Sequence, residues 1–239
     1  MAVMLLVLCL TATELVYARQ FHLHNKLDYT VWVGILGNYG QGTPDNGGFV
    51  LQAGGKKTVH VADKWAGRFW ARTGCNFDDS GRGRCATGDC GNKLHCNGLA
   101  GQPPASLVEV SLRRFNELDF YDVSLVDGFN VPIQMKPING GGDQYRCGTP
   151  SCSKNLNPEC PNNLQVRDGN KIVACKNACI AFNTDRDCCR GNFKNRNVCG
   201  PSEFSKFFKR ACPSAYSYAY DDHTSIFTCK DTNYVIIFG

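Results

Sequence analysis

Apolar and polar residues alternate at period two in several short stretches of this chain, and that period predicts strands. Lys57-Thr58-Val59-His60-Val61 alternates as a half-buried strand should, and Leu107–Leu112 and Phe120–Leu125 do so over six residues each. Tyr29–Leu36 is dense in β-branched and aromatic residues, Arg68–Ala71 makes a further short strand, and Thr228 with Asn233–Phe238 reads as a closing pair. Gly, Asn, Asp and Pro punctuate the gaps. Many short strands between such turns predict an antiparallel sandwich or flattened barrel. A helical period enters in two places. Pro201–Ala211 sets Phe204, Phe207 and Phe208 at helical spacing, with Pro201 near its start and Pro213 beyond its end. A shorter helix is expected over Asn177–Thr184. The three phenylalanines read as core, and Lys206, Lys209 and Arg210 as the solvated face.

Residues 1–18 break the pattern. Met4–Leu10 is an unbroken apolar run, and Val16-Tyr17-Ala18 places small or apolar residues before a cut after Ala18, so the segment reads as a secretory signal peptide. The run is too short to span a bilayer. Its removal takes one acid, Glu14, from the 21 in the chain and none of the 26 bases, leaving a net charge of +6. No Lys/Arg run accompanies that mild excess, which argues against a nucleic-acid groove. No Asn-x-Ser/Thr sequon occurs.

Cysteine changes the picture most. The chain has 15, of which Cys9 lies in the leader and the other fourteen lie between Cys75 and Cys229. An even set at this density belongs to a secreted, disulfide-stapled protein. Residues 20–73 and 105–137 contain none and look strand-like, whereas 147–212 is dense in cysteine and polar turns. That block cannot bury a core of its own, so crosslinks must supply part of its stability. Each bridge closing ten to fifteen residues is worth roughly 3 kcal/mol by chain entropy. The neighbours Cys188 and Cys189 should reach different partners, but spacing alone leaves the connectivity open.

The block GRGRCATGDC at 81–90 identifies a family resemblance. Further blocks follow in order: YTVWVG at 29–34, RFWARTGCNFDDSGRGRC at 68–85, DFYDVSLVDGFNVP at 119–132, GPSEFSKFFKRACP at 200–213 and SYAYDDHTSIFTC at 217–229. Together they make the chain resemble the thaumatin-like proteins, the family of thaumatin, osmotin and zeamatin, over essentially all of its mature length. The resemblance implies a mainly β fold. A β-sandwich of about eleven strands would use 19–73, 105–146 and 213–239, a small two-disulfide loop module 74–104, and a disulfide-rich loop and helix domain 147–212. It implies the bridges Cys75–Cys85, Cys90–Cys96, Cys147–Cys229, Cys152–Cys212, Cys160–Cys175, Cys179–Cys188 and Cys189–Cys199. Many family members carry sixteen cysteines, the extra two tying the first strand to the last. Leu27 and Gly239 stand at those positions, so both partners are missing together and the two strands must hold by hydrogen bonds and packing. Asn92 stands where the family usually has a glycine.

The resemblance also implies a cleft between sandwich and disulfide-rich domain, walled by Arg68, Glu109, Asp122, Asp127 and Asp221. Strand parity supports part of the grouping: Glu109 shares a face with Leu107 and Ser111, and Asp122 with Phe120 and Ser124. A charge in mid-strand needs a wet face or a partner. Asp127 has the opposite parity to Asp122 and joins them only if the chain turns, for which Asp127-Gly128 is the signal. Without the family, turn-capping acids paired to Arg68 would be the simpler account.

Carboxylates in a cleft can accept hydrogen bonds from sugar hydroxyls while aromatic rings pack on sugar faces. The expected function is a secreted, monomeric antifungal defence protein that binds β-1,3-glucan of fungal-type walls, without cofactor, metal, nucleic acid or stable membrane insertion. A weak endo-β-1,3-glucanase is the alternative, with Glu109 as general acid and Asp122 as nucleophile or base. A hydrolase inhibitor or ice-binding protein on the same scaffold is a third. His22 and His24 share a strand face, but two histidines do not complete a metal site.

Overall fold

The computed structural model describes residues 19–139 and 145–239; the leader reading falls on 1–18 and lies outside the described residues. The chain opens with β1 (Arg19–Asn25), β2 (Val31–Gly37), β3 (Gly48–Leu51), β4 (Lys56–Val61) and β5 (Ala66–Arg72). Two short strands, β6 (Asn76–Phe77) and β7 (Gly83–Arg84), follow. Next come the long pair β8 (Leu107–Phe115) and β9 (Leu118–Ser124), then β10 (Ile133–Pro137) and β11 (Ser151–Cys152). A hairpin of β12 (Gln165–Asp168) and β13 (Lys171–Cys175) leads to helices α1 (Ala178–Phe182), α2 (Glu203–Ala211) and α3 (Asp222–Ser225). β14 (Phe227–Cys229) and β15 (Tyr234–Phe238) close the chain.

Eleven of these strands form two sheets, ordered β11-β10-β15-β1-β4 and β14-β9-β8-β5-β2-β3, and no strand ladder joins the two sheets into a closed barrel among the described residues. The fold is therefore an open sandwich. Alternation decides what lies between the layers: Phe21, Leu23, Val59 and Ile236 face inward from one sheet, and Val33, Phe69, Val108 and Val123 from the other. Each such side chain contributes about 1.5–3 kcal/mol when fully buried. Phe21 stacks on Tyr234 with ring centroids 5.6 Å apart.

Two strand expectations need correction. β14 and β15 do not pair with each other: β14 runs antiparallel to β9, while β15 joins the other sheet between β10 and β1. The turn between them crosses from one layer to the other, and the bridge from Cys229 to Cys147 ties down the end of β14. The sandwich is also not wholly antiparallel, since β1 and β15 pair in parallel from Phe21 opposite Tyr234 to Asn25 opposite Phe238. That ladder continues in Lys26 N–H donating to Phe238 O at 2.7 Å. Leu27 and Gly239 are neighbours at its end: a Cβ on Gly239 would lie 2.9 Å from Leu27 N.

The disulfides are Cys75–Cys85, Cys90–Cys96, Cys147–Cys229, Cys152–Cys212, Cys160–Cys175, Cys179–Cys188 and Cys189–Cys199, the pairs the resemblance implies. The cysteine-dense segment borrows the core of the sandwich: Leu156, Leu164 and Phe208 belong to the same buried cluster as the two sheets. Helix α2 is capped by Ser202, whose hydroxyl accepts from Ser205 N–H. Its Phe208 is fully buried, with Phe204 and Phe207 packed on the core. Lys209 departs from the expected solvated face, because its Nζ turns inward to Ala215 O at 3.0 Å and Ser225 Oγ at 2.9 Å.

The outer face of the six-stranded sheet positions the site. Trp70, Cys90, Cys96, Ala105 and Leu107 form a second apolar cluster there, beneath the 74–104 loops. Arg72, fully buried, pins those loops down by donating to Val33 O, Lys93 O and Leu94 O at 2.7–3.0 Å. Burial lowers its pKa to about 10. Within the loops Asn92 adopts φ +59°, a left-handed conformation that asparagine tolerates better than most residues. The departure from glycine there thus keeps the backbone shape.

Candidate functional site

Register alone assembles the centre of the site. Arg68 on β5 lies directly opposite Glu109 on β8, and Glu109 directly opposite Asp122 on β9. Cross-strand neighbours on one face have Cβ atoms about 4.5–5.5 Å apart, so three ionisable side chains form one row across the sheet. They point away from the sandwich core because Leu107, Glu109 and Ser111 alternate with the core residues Val108, Val110 and Leu112. The loop cluster over Trp70 covers the neighbouring part of the same face. Beyond it the row is open, in a cavity of about 410 Å³ whose wall includes Arg68, Glu109, Asp122, Asp127, Tyr216 and Asp222.

Asp127 reaches this cavity by the turn its sequence signals. Gly128 N–H donates to Leu125 O at 2.9 Å, and Gly128 adopts φ +90°. A Cβ at Gly128 would meet Cys175 O at 2.6 Å, so the position also needs glycine for space.

The fourth acid differs from the one expected. Asp221 does not line the cavity; its carboxylate accepts from Ser217 N–H at 2.9 Å and Ser217 Oγ at 2.8 Å and lies 3.0 Å from Lys209 Nζ. It sits just before α3 and is turned back into the chain that precedes it. Asp222, the next residue, lines the cavity instead and accepts from Tyr216 Oη at 2.9 Å and from Arg196 at 2.7 Å. Tyr216 is placed by backbone: its N–H donates to Val123 O, and its carbonyl accepts from Leu125 N–H. No periodicity in the sequence marks Tyr216. The Asp221-Asp222 pair signals that an acid is needed, but not which of the two faces out.

The acids differ electrostatically. Burial and the neighbouring Glu109 charge push the Asp122 carboxyl well above the usual carboxylate range. Asp122 is 8% exposed, and its Oδ1 has no hydrogen-bond partner among the described residues. Glu109 is also raised by burial, but Arg68 opposes that shift from 3.5 Å and 36% of the Glu109 side chain stays exposed. Burial raises Asp127, again opposed by Arg68. Of the directly opposed pair, Asp122 is the better proton holder and Glu109 the better carboxylate.

Among the described residues no group of three His, Cys, Asp or Glu side chains is arranged to hold a metal ion. His22 lies on the outer face of β1 with Nδ1 2.9 Å from Thr58 Oγ1. No helix among the described residues is long and apolar enough to cross a membrane.

With fold and site in view, comparison with known proteins gives the class. The Thaumatin family model matches residues 25–239, and the chain belongs to that family. It is 51% identical over 217 residues to a thaumatin-like protein of Arabidopsis thaliana, covering 90% of this chain and 87% of that one. Pathogenesis-related protein 5 of the same plant is 51% identical over 229 residues, covering 96% and 93%. Among solved structures, a GH family 64 laminaripentaose-producing β-1,3-glucanase from Paenibacillus barengoltzii, complexed with laminarihexaose, matches with TM-score 0.60. It is 15% identical, covering 93% of this chain and 75% of that one, a likeness of fold.

Proposed function

We propose that the protein is a secreted defence protein that binds β-1,3-glucan in the acidic cavity. The carrying observation is the row Arg68–Glu109–Asp122, continued by Asp127 and Asp222 around one open cavity. Ionised Glu109 and Asp222 accept hydrogen bonds from sugar hydroxyls, while protonated Asp122 and the Arg68 guanidinium donate them. The Tyr216 ring gives the wall an apolar surface on which a sugar face can pack. Fourteen bridged cysteines suit an oxidising, extracellular compartment, and the pathogenesis-related relatives support a role in defence.

The unequal acids favour a second reading, a weak endo-β-1,3-glucanase. Asp122 would then donate its proton to the leaving oxygen, and Glu109 would act as the carboxylate. One assay separates the readings. The purified chain, with Glu109→Gln and Asp122→Asn beside it, is tested for retention on insoluble β-1,3-glucan and for release of reducing sugar. Retention without release supports the binder, and release abolished by either substitution supports the enzyme. The absence of both retention and release would overturn both readings.

A further inference from the structure

A second groove lies where the six-stranded sheet, the 74–104 loops and the β12–β13 hairpin meet. Two cavities, of about 520 and 470 Å³, share Gly74, Ala86, Asp168 and Val173 in their walls and so form one continuous groove. None of its wall residues belongs to the acidic cavity.

The two halves of the groove differ in chemistry. One is aromatic and apolar, walled by Tyr29, Trp32 and Ile172, and Tyr29 leaves 44% of its surface exposed at that edge. The other carries Arg84 from β7 and Arg167 from β12, two guanidinium groups brought together from separate elements. Lys171 lines the aromatic half, and Asp168, shared by both halves, is the one acid in the walls among the described residues. Among the described residues Arg84, Arg167 and Lys171 form no ion pair, and Arg167 donates to the neutral amide oxygen of Gln165.

Two exposed guanidinium groups that pair with no carboxylate among the described residues suit an anionic ligand. A planar guanidinium fork matches a carboxylate with two parallel hydrogen bonds. The aromatic half calls for a flat, weakly polar surface such as a sugar face. We propose that this groove binds an acidic oligosaccharide. A sugar ring packs against Tyr29 and Trp32, and a uronate carboxylate lies between Arg84 and Arg167. The protein then has two saccharide sites of opposite charge, the acidic cavity for a neutral glucan and this groove for a uronide.

The test is calorimetric titration of the full mature chain with hexagalacturonate, and separately with laminarihexaose and with inorganic sulfate. Hexagalacturonate should bind, weakening as salt rises. Arg84→Gln with Arg167→Gln should weaken it at least tenfold, and Tyr29→Ala several-fold, with melting temperature and laminarihexaose binding unchanged. The proposal is overturned if wild type fails to bind hexagalacturonate or if the double variant binds it as tightly as wild type. Sulfate binding as tightly as the hexamer would show a bare anion site and equally overturn it.

Discussion

Glu109 and Asp122 face each other across β8 and β9, yet Arg68 stands against Glu109 while Oδ1 of Asp122 has no hydrogen-bond partner among the described residues. Two like charges in that position cannot both be held cheaply, and burial together with the Glu109 charge pushes the Asp122 carboxyl well above the usual carboxylate range.

A stability consequence follows, with a definite sign. The native Asp122 pKa lies above its ordinary value of 3.8, so between the two the folded chain binds more protons than the unfolded chain. The contribution of this group to stability therefore falls as pH rises through that window. Asp122→Asn should raise the melting temperature at pH 7, by about 2–4 °C if the gain is near 1 kcal/mol. The gain should vanish below pH 3.8, as a series of thermal melts against pH would show.

Asp221 and Asp222 should separate structure from binding. Asp221→Ala removes the acceptor for Ser217 and the partner of Lys209, and should cost about 1–3 kcal/mol in denaturant unfolding. Asp222→Asn should leave the unfolding free energy within about 0.5 kcal/mol of wild type while lowering retention on insoluble β-1,3-glucan. Equal effects of the two substitutions on retention would contradict the placement of Asp222 in the wall.

Arg72 holds the 74–104 loops to the sheet through backbone carbonyls on both sides. Arg72→Met leaves those acceptors buried without donors, at about 1–3 kcal/mol each. The expected outcome is faster proteolytic cleavage within 74–104 and a total loss of at least about 3 kcal/mol.

Leu27→Cys with Gly239→Cys should restore the bridge that sixteen-cysteine relatives carry, since the two positions already touch. Closing so long a loop is worth up to about 5 kcal/mol by chain entropy. The measured gain should be smaller, because Gly239 lies at φ +105°, where a side chain is strained. Mass spectrometry without reduction detects the bridge, and a thermal melt reads the gain.

Alternation along the chain was enough to place Glu109 and Asp122 on outward strand faces, and Asp127-Gly128 announced the turn that carries Asp127 into their company. The same pattern could not say that β14 and β15 belong to different sheets, because period two reports which face is buried and not which strand lies alongside. Nor could it choose between Asp221 and Asp222. Adjacent residues at the start of a short helix point in different directions, and which one turns outward depends on Ser217 and Lys209, brought there by the fold.

By itself, then, the sequence determined a disulfide-stapled, mainly β chain of a recognisable family, with its acids spaced on outward faces. Local periodicity and cysteine spacing are properties of the chain, and they survive without coordinates. Tertiary structure decided the parallel pairing of β1 with β15, the inward turn of Asp221 and Lys209, and the electrostatic order of Asp122 and Glu109. It also brought Arg84 and Arg167 to one groove. All of these depend on what lies across a sheet or a loop from a residue, and burial and charge act through space rather than along the chain.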